Sequence, residues 1–392
     1  PMRAREHFPP GDASLPAVSA RDCRIEHVAR DRRHVMADAV ADNQRDYRLV
    51  RNGEFTVAAG NRCRGHRPPI RVSINRLLLY SRSRCGGVNL LNRLVVGSAP
   101  WMPRFVIGRV AARYVAGDSL EDGLALVEHL NAQGFTGTLD VLGEEIREEG
   151  ATLRFRDAYL EALDGIANRG VECNVSLKLT ALGLRIDPAL CWNNLAPILD
   201  RAREFDNFVR FDMEDSSITV ATLEMCQRAR EYYSRCGTVL QASLHRTLED
   251  ARGLAGAGSN VRICKGAYVE PEAIAFQGFQ EIRDSFMAVA RQLLEQGTYA
   301  CFATHDLWLI EHCEALVAEL GVAPDRYEFQ ALSGVPVEAT LDQLLASGHR
   351  VRYYIPFGPE WYAYSLRRMR ENPAIWRHTL RAMFSRSRHR RR

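Results

Sequence analysis

Eight short β-prone runs recur along the chain, at 136–142, 171–178, 207–213, 237–243, 260–265, 299–304, 326–332 and 350–355. Helical stretches such as 152–168, 219–235 and 278–296 separate them. Strands joined through helices cannot form hairpins, so they pair in parallel. Eight such units over roughly 250 residues have the size of a (βα)8 barrel. The expected fold class is therefore α/β, a TIM-like barrel. A doubly wound open sheet is the alternative, but no Gly-x-Gly-x-x-Gly follows the first run, and eight strands favour closure.

The chain ahead of the barrel has two parts. Residues 1–87 carry 17 arginines against 9 acidic residues and lack sustained apolar periodicity. They are expected to be a disordered basic arm or, the preferred reading, non-native sequence translated from upstream of a start near Val88. Residues 88–135 are expected to be helical. Leu90, Leu91, Leu94 and Val95 form one apolar stripe, and Phe105, Val106, Val110 and Ala111 form another. Asp118 or Ser119 caps a further helix that starts after Gly117. The barrel then fills 136–392.

Charge and cysteine usage narrow the function. Residues 88–392 hold 35 of the 52 basic residues and 39 of the 48 acidic ones, a balance of −4. That argues against a nucleic-acid-binding body. Ten cysteines occur with no CxxC pair and no Cys/His spacing suited to zinc, so no metal is expected and the thiols are expected to stay reduced in the cytoplasm. No run approaches the roughly 18 consecutive apolar residues of a membrane span.

In barrels of this kind chemistry sits where the strands end at their C-terminal side. The runs deliver Asp140, Lys178, Asp212 with Glu214, Gln241, Arg262 with Lys265, Thr304 with His305, Gln330 and Tyr354 to that rim. Lys178 and Lys265 are the chain's two lysines; the other 50 of its 52 basic residues are arginines. Where arginine has taken so many positions, a retained lysine points to a need for a compact ammonium with a tunable pKa. Beyond the last run, Tyr364, Arg367, Arg368 and Glu371 lie at i, i+3, i+4 and i+7, one face of a helix. Paired arginines beside a tyrosine suit capture of a carboxylate. An Arg368–Glu371 ion pair accounts for part of the same set without a ligand.

These segments resemble the proline dehydrogenase family, monofunctional flavoenzymes with a distorted (βα)8 barrel. The resemblance covers about residues 88–385 and rests on SLKLTALG (176–183), RFDMED (210–215), LQASLHRT (240–247), VRICKGAY (261–268), FATHD (302–306), YEFQALSGV (327–335) and YYIPFGPEWYAYSLRRMRENP (353–373). It implies FAD as cofactor, L-proline as substrate and a quinone as electron acceptor. By resemblance, Lys178, Arg367 and Arg368 hold the substrate carboxylate, while Leu332, Tyr354 and Tyr364 pack around its ring. Asp212 and Arg262 are the catalytic pair, Arg262 beside the flavin N5. Met213, Gln241, Cys264, Lys265, Gly266, Ala267, Thr304 and His305 match cofactor-contacting positions, and Glu371 tethers the arginine helix. His245 departs from the family pattern, which more usually has an aromatic ring there, and the stretch between Gly358 and Tyr364 varies in length.

Two other functions fit a barrel with rim lysines. A class I aldolase would use Lys178 or Lys265 as a Schiff-base nucleophile, and a non-catalytic sensor would bind an amino acid without reaction. The basic tail from Arg381 to Arg392 has the composition to touch anionic lipid at the inner face of a membrane, and equally that of a solvated terminus.

Overall fold

The structure, a computed structural model, divides into two units, residues 1–87 and 88–392. It describes residues 113–362 apart from 144, 145, 255 and 257, together with Gly108, Ala111, Tyr364, Ser365 and three short strands in the first unit. Those strands, β1 (Arg48–Val50), β2 (Glu54–Thr56) and β3 (Arg71–Ser73), form an antiparallel sheet in the order β1-β2-β3. The other expectations for 1–87, and the apolar stripes of Leu90 to Val95 and of Phe105 to Val110, lie outside the described residues.

Eight parallel strands form the second unit: β4 (Thr136–Val141), β5 (Cys173–Leu177), β6 (Val209–Phe211), β7 (Cys236–Gln241), β8 (Asn260–Cys264), β9 (Tyr299–Ala303), β10 (Tyr327–Leu332) and β11 (Val351–Phe357). They close into a barrel in chain order, with β11 returning to β4 through Tyr353↔Gly137 and Ile355↔Leu139. Closure excludes the doubly wound sheet. Each observed strand falls within two residues of an expected run, because every run combines β-branched or aromatic residues with a flanking turn.

Among the described residues the helices with defined bounds are α1 (Leu120–Asn131), α2 (Glu149–Arg169), α3 (Pro188–Glu204), α4 (Thr219–Tyr232), α5 (Thr247–Leu254), α6 (Phe279–Glu295), α7 (Leu307–Glu319) and α8 (Glu338–Ala346). Ser119, rather than Asp118, caps α1. Its hydroxyl accepts from the Asp122 amide at 3.2 Å, and the Asp122 carboxylate accepts from the Ser119 amide at 3.2 Å. Asp118 also has an acid three residues on, but that residue, Glu121, pairs with Arg169, and the reciprocal box forms at Ser119. Asp306 caps α7 by accepting from the Trp308 amide at 3.2 Å.

Strand residues alternate between two environments. Val175, Leu177, Val209 and Phe211 are fully buried against the helical layer, with Leu163 and Ile166 of α2 and Leu195 and Ile198 of α3 in the same apolar core. Burying each such side chain contributes about 1.5–3 kcal/mol. The alternate positions are polar and meet across the barrel interior. Arg262 of β8 reaches Ser176 of β5, and Arg210 of β6 reaches Cys301 of β9, pairs that do not sit on adjacent strands. Arg210, 1% exposed, spends its guanidinium on the Thr238 and Asn260 carbonyls at 3.0 and 3.1 Å. Gly237 makes room for it, since a Cβ there would meet Arg210 Nη1 at 2.8 Å and the Asn260 carbonyl at 2.3 Å. A barrel interior is ordinarily filled by branched aliphatics; here charge fills it.

Candidate active site

Asp212 follows the last residue of β6, a position that aims its carboxylate at the centre of the C-terminal rim. Four groups from three other strands converge on it. Ser176 Oγ donates to Oδ1 at 2.6 Å, Arg262 Nη1 donates to Oδ1 at 2.8 Å, and Tyr354 Oη donates to Oδ2 at 2.6 Å. The Lys178 ammonium stands 3.6 Å from Oδ2 and donates to Asp140 Oδ1 at 2.8 Å. The Arg262 guanidinium also lies 5.2 Å from the centre of the Tyr354 ring.

The electrostatics follow from burial and pairing. Burial alone would push the Asp212 carboxyl up, but Lys178 and Arg262 outweigh it and hold it below the ordinary carboxylate value. Burial would lower Lys178, yet Asp140, Tyr354 and Asp212 raise it well above the ordinary lysine value. Asp140 is fully buried, and its Oδ2 has no hydrogen-bond partner among the described residues. Burial raises its pKa, and the nearby Asp212 charge adds to the effect against the pull of Lys178. Burial, then Asp140 and Asp212, push the Tyr354 phenol well up, so it stays protonated and acts as a donor.

A cavity of about 740 Å³ opens above this cluster, within the roughly 300–1,000 Å³ typical of small-molecule and cofactor sites. Lys178, Asp212, Met213, Arg262, Cys264, Lys265, Gly266, Ala267, Thr304, His305, Leu332 and Tyr354 all line it. His305 is fixed by the Leu332 amide, which donates to Nε2 at 2.9 Å and so requires that nitrogen to be unprotonated. Lys265 sits at the rim, one third exposed, 3.3 Å from Asp306.

Two expected residues are placed differently. Gln241 does not line the cavity. Its amide is spent on protein, with Nε2 donating to the Glu214 carbonyl at 2.8 Å and Oε1 accepting from the Ala267 amide at 3.1 Å. Tyr364 packs in a small apolar cluster with Val115 and Leu142. Arg367, Arg368 and Glu371 lie outside the described residues. His245 packs its ring edge-on against Phe276 at 4.5 Å, filling the place of an aromatic side chain. The cavity also takes in Tyr268, Phe279 and Val335. Of these Phe279 carried no sequence signal, because it lies at the start of α6, outside every quoted motif.

The loop after β8 shapes one wall. Gly266 has φ +122, and a Cβ there would meet Ser243 Oγ at 2.2 Å. The loop is pinned to β7, with the Ala242 amide donating to the Cys264 carbonyl and the Ser243 amide to the Lys265 carbonyl, both at 2.8 Å. Gly266→Ala is therefore expected to lose about 1–3 kcal/mol of stability through strain and displacement. Urea denaturation measures it; an unchanged midpoint would mean the loop is not held there.

A Schiff-base lysine must be deprotonated to attack a carbonyl. Lys178, flanked by two carboxylates, is the opposite case, and this disfavours an aldolase. Among the described residues no group of three or more His, Cys, Asp or Glu side chains is arranged to hold a metal.

Residues 124–379 match the sequence pattern of a family described as proline dehydrogenase. Proline dehydrogenase 1 of Bacillus subtilis strain 168 is 36% identical over 264 residues, covering 67% of this chain and 87% of the relative. Proline dehydrogenase of Deinococcus radiodurans is 35% identical over 269 residues, 67% and 86% of the two chains. Among solved structures, the barrel is similar to proline utilization A from Bdellovibrio bacteriovorus inactivated by N-propargylglycine, with a TM-score of 0.62 and 24% identity. That alignment covers 66% of this chain but 32% of the other, so the chain spans about a third of it, and the likeness speaks for the fold alone.

Proposed function

Because the chain belongs to the proline dehydrogenase family and is thus an enzyme that oxidises proline, we propose that it works with FAD held in the barrel cavity. The product on this reading is Δ1-pyrroline-5-carboxylate, the first step of proline breakdown towards glutamate, and the electrons pass to a quinone. The activity is assigned to residues 88–392. The observation that carries the reading is the cluster of Lys178, Asp212, Arg262 and Tyr354 on the floor of one cavity.

The residues present fit a flavin. The cavity has the volume for a large planar group, and the tight Gly266 turn forms part of its wall. Met213, Cys264, Lys265, Gly266, Ala267, Thr304 and His305 would hold the group. Gln241 is read as supporting it from behind, through the Ala267 amide. FAD supplies a two-electron acceptor for hydride transfer from carbon.

This chain's own residues then bind and orient. Lys178, with Arg367 and Arg368, is assigned to the proline carboxylate, which a fixed ammonium recognises as a point charge. Leu332 and Tyr354 pack the ring and exclude water. Asp212 keeps Arg262 and Tyr354 aimed into the cavity, and Arg262 supplies a fixed positive donor where charge accumulates. Tyr354 remains protonated, so removal of the amine proton is not assigned to it.

The test uses the purified full chain. It should be yellow, release FAD on denaturation and bleach anaerobically when L-proline is added. A chain beginning at Val88 should behave alike, and a soluble quinone should restore colour faster than oxygen does. Colourless protein sinks the FAD reading, and yellow protein that proline does not bleach sinks hydride transfer from proline to it. No helix among the described residues is long and apolar enough to cross a membrane. Contact of the Arg381–Arg392 tail with anionic lipid is proposed as the route to a quinone; failure to sediment with anionic vesicles at low salt removes it.

A further inference from the structure

We propose that Gln330 is a positioning residue for Arg262, and that Glu328 fixes which way its amide faces. Both sit on β10, two residues apart and therefore on the same side of the strand. They are 3% and 4% exposed. Gln330 Oε1 accepts from Arg262 Nε at 2.5 Å, while Gln330 Nε2 donates to Glu328.

An amide side chain presents an acceptor at one end and donors at the other, and reversing it exchanges them. Glu328 decides the direction. Arg352 Nε donates to both of its oxygens at 2.9 and 3.1 Å, and Tyr299 Oη donates to Oε2 at 3.2 Å. Burial would raise its carboxyl, but the Arg352 charge and hydrogen bond bring it down to about 2. An ionised carboxylate can only accept, so the Gln330 NH2 must face it and the oxygen must face Arg262. Arg352 is anchored in turn by the Gly137 carbonyl at 2.6 Å. A chain of fixed groups thus runs from β4 and β11 to the guanidinium.

The consequence for Arg262 is geometric. Nε is held by Gln330, and Nη1 by Asp212 and Ser176 at 2.8 and 3.3 Å. Nη2 makes no hydrogen bond to any described residue, and Arg262 lines the cavity. With two of its three nitrogens tied, the guanidinium plane cannot rotate, and its third nitrogen is left for whatever the cavity binds. Reversing the Gln330 amide would set NH2 against Nε–H and release one of the two ties.

The inference rests on the reading of Arg262 as a catalytic residue, and the test separates the two. Gln330→Met keeps side-chain length and leaves the Glu328–Arg352 pair whole. It should retain flavin and change KM for proline by less than about threefold, while kcat falls about tenfold, as is usual for groups that orient an active side chain. Arg262→Met alone should also lower kcat. In that background Gln330→Met should add little, because a group acting through Arg262 has nothing left to position. Glu328→Gln should lower kcat in the wild type and not in Gln330→Met, whatever it does to stability. Losses that multiply in the double variants overturn the positioning role and leave the catalytic reading of Arg262 standing. Wild-type kcat in Arg262→Met overturns that reading, and the positioning role with it.

Discussion

Asp212→Ala is expected to lose about 3–5 kcal/mol of folding stability, the cost of removing one partner from a buried charge cluster. The same change should lower kcat/KM for proline by about three orders of magnitude or more, through loss of transition-state charge stabilisation and orientation. Arg262 Nη1, Tyr354 Oη and Ser176 Oγ would each lose a carboxylate acceptor within 2.8 Å, and unmade buried hydrogen bonds are expensive. The pH dependence has a fixed sign. A carboxyl lowered in the folded state contributes stability that is complete above its unfolded value of 3.8 and lost as the pH falls through the lowered one. Asp212→Ala should therefore flatten the acid limb of the stability curve. Urea titrations between pH 3 and 7 measure both effects; a variant within about 1 kcal/mol of wild type, with an unchanged acid limb, would mean that Asp212 is not the hub.

Lys178→Met is expected to raise KM for proline and lower kcat/KM by about 10²- to 10³-fold, the effect of removing one partner of a desolvated charge pair. Lys178→Arg should not rescue it, although charge is kept. The ammonium reaches Asp140 at 2.8 Å and Tyr354 at 3.4 Å in a buried site, where the planar guanidinium needs more room and a different donor geometry. Stability should fall less than in Asp212→Ala, because Asp140, whose pKa is already raised by burial, can take a proton when its partner leaves. Steady-state kinetics on the two variants decide the matter. Full activity in Lys178→Arg would show that any cation serves, and the compact-ammonium reading of this rare lysine would be wrong.

The strands were legible because each run is short, β-prone and bounded by turn residues, and the rim residues because a parallel barrel gathers strand ends at one face. Asp140, Lys178, Asp212, Arg262 and Tyr354 came together on that basis. What escaped notice depends on contacts between elements distant in the chain. Glu328 lies inside a strand rather than at its end, so its tie to Gln330 and Arg352 left no mark in the spacing. The inward turn of Gln241 is settled by the Glu214 carbonyl and the Ala267 amide, neither a sequence neighbour. Asp118 and Ser119 each have an acid three residues on, so spacing leaves the cap of α1 open, and the bonds between Ser119 and Asp122 settle it.

The polar interior also bears on how the barrel comes apart. Half of it, β4 to β7, would hold Asp140, Lys178 and Asp212, but neither the Arg262 of β8 nor the Tyr354 of β11 that complete their pairing. Such a fragment would hold Asp212 without its Arg262 ion pair and Arg210 without the Asn260 carbonyl, leaving buried charges unpartnered away from water. Detaching β11 alone would strand Glu328 without Arg352 and Asp212 without Tyr354. Taking β10 and β11 away together keeps Glu328 with Arg352 but still parts Gln330 from Arg262 and Tyr354 from Asp212. Amide exchange in the central strands should consequently require global opening, so that the barrel behaves as one cooperative unit rather than as two halves joined at an interface.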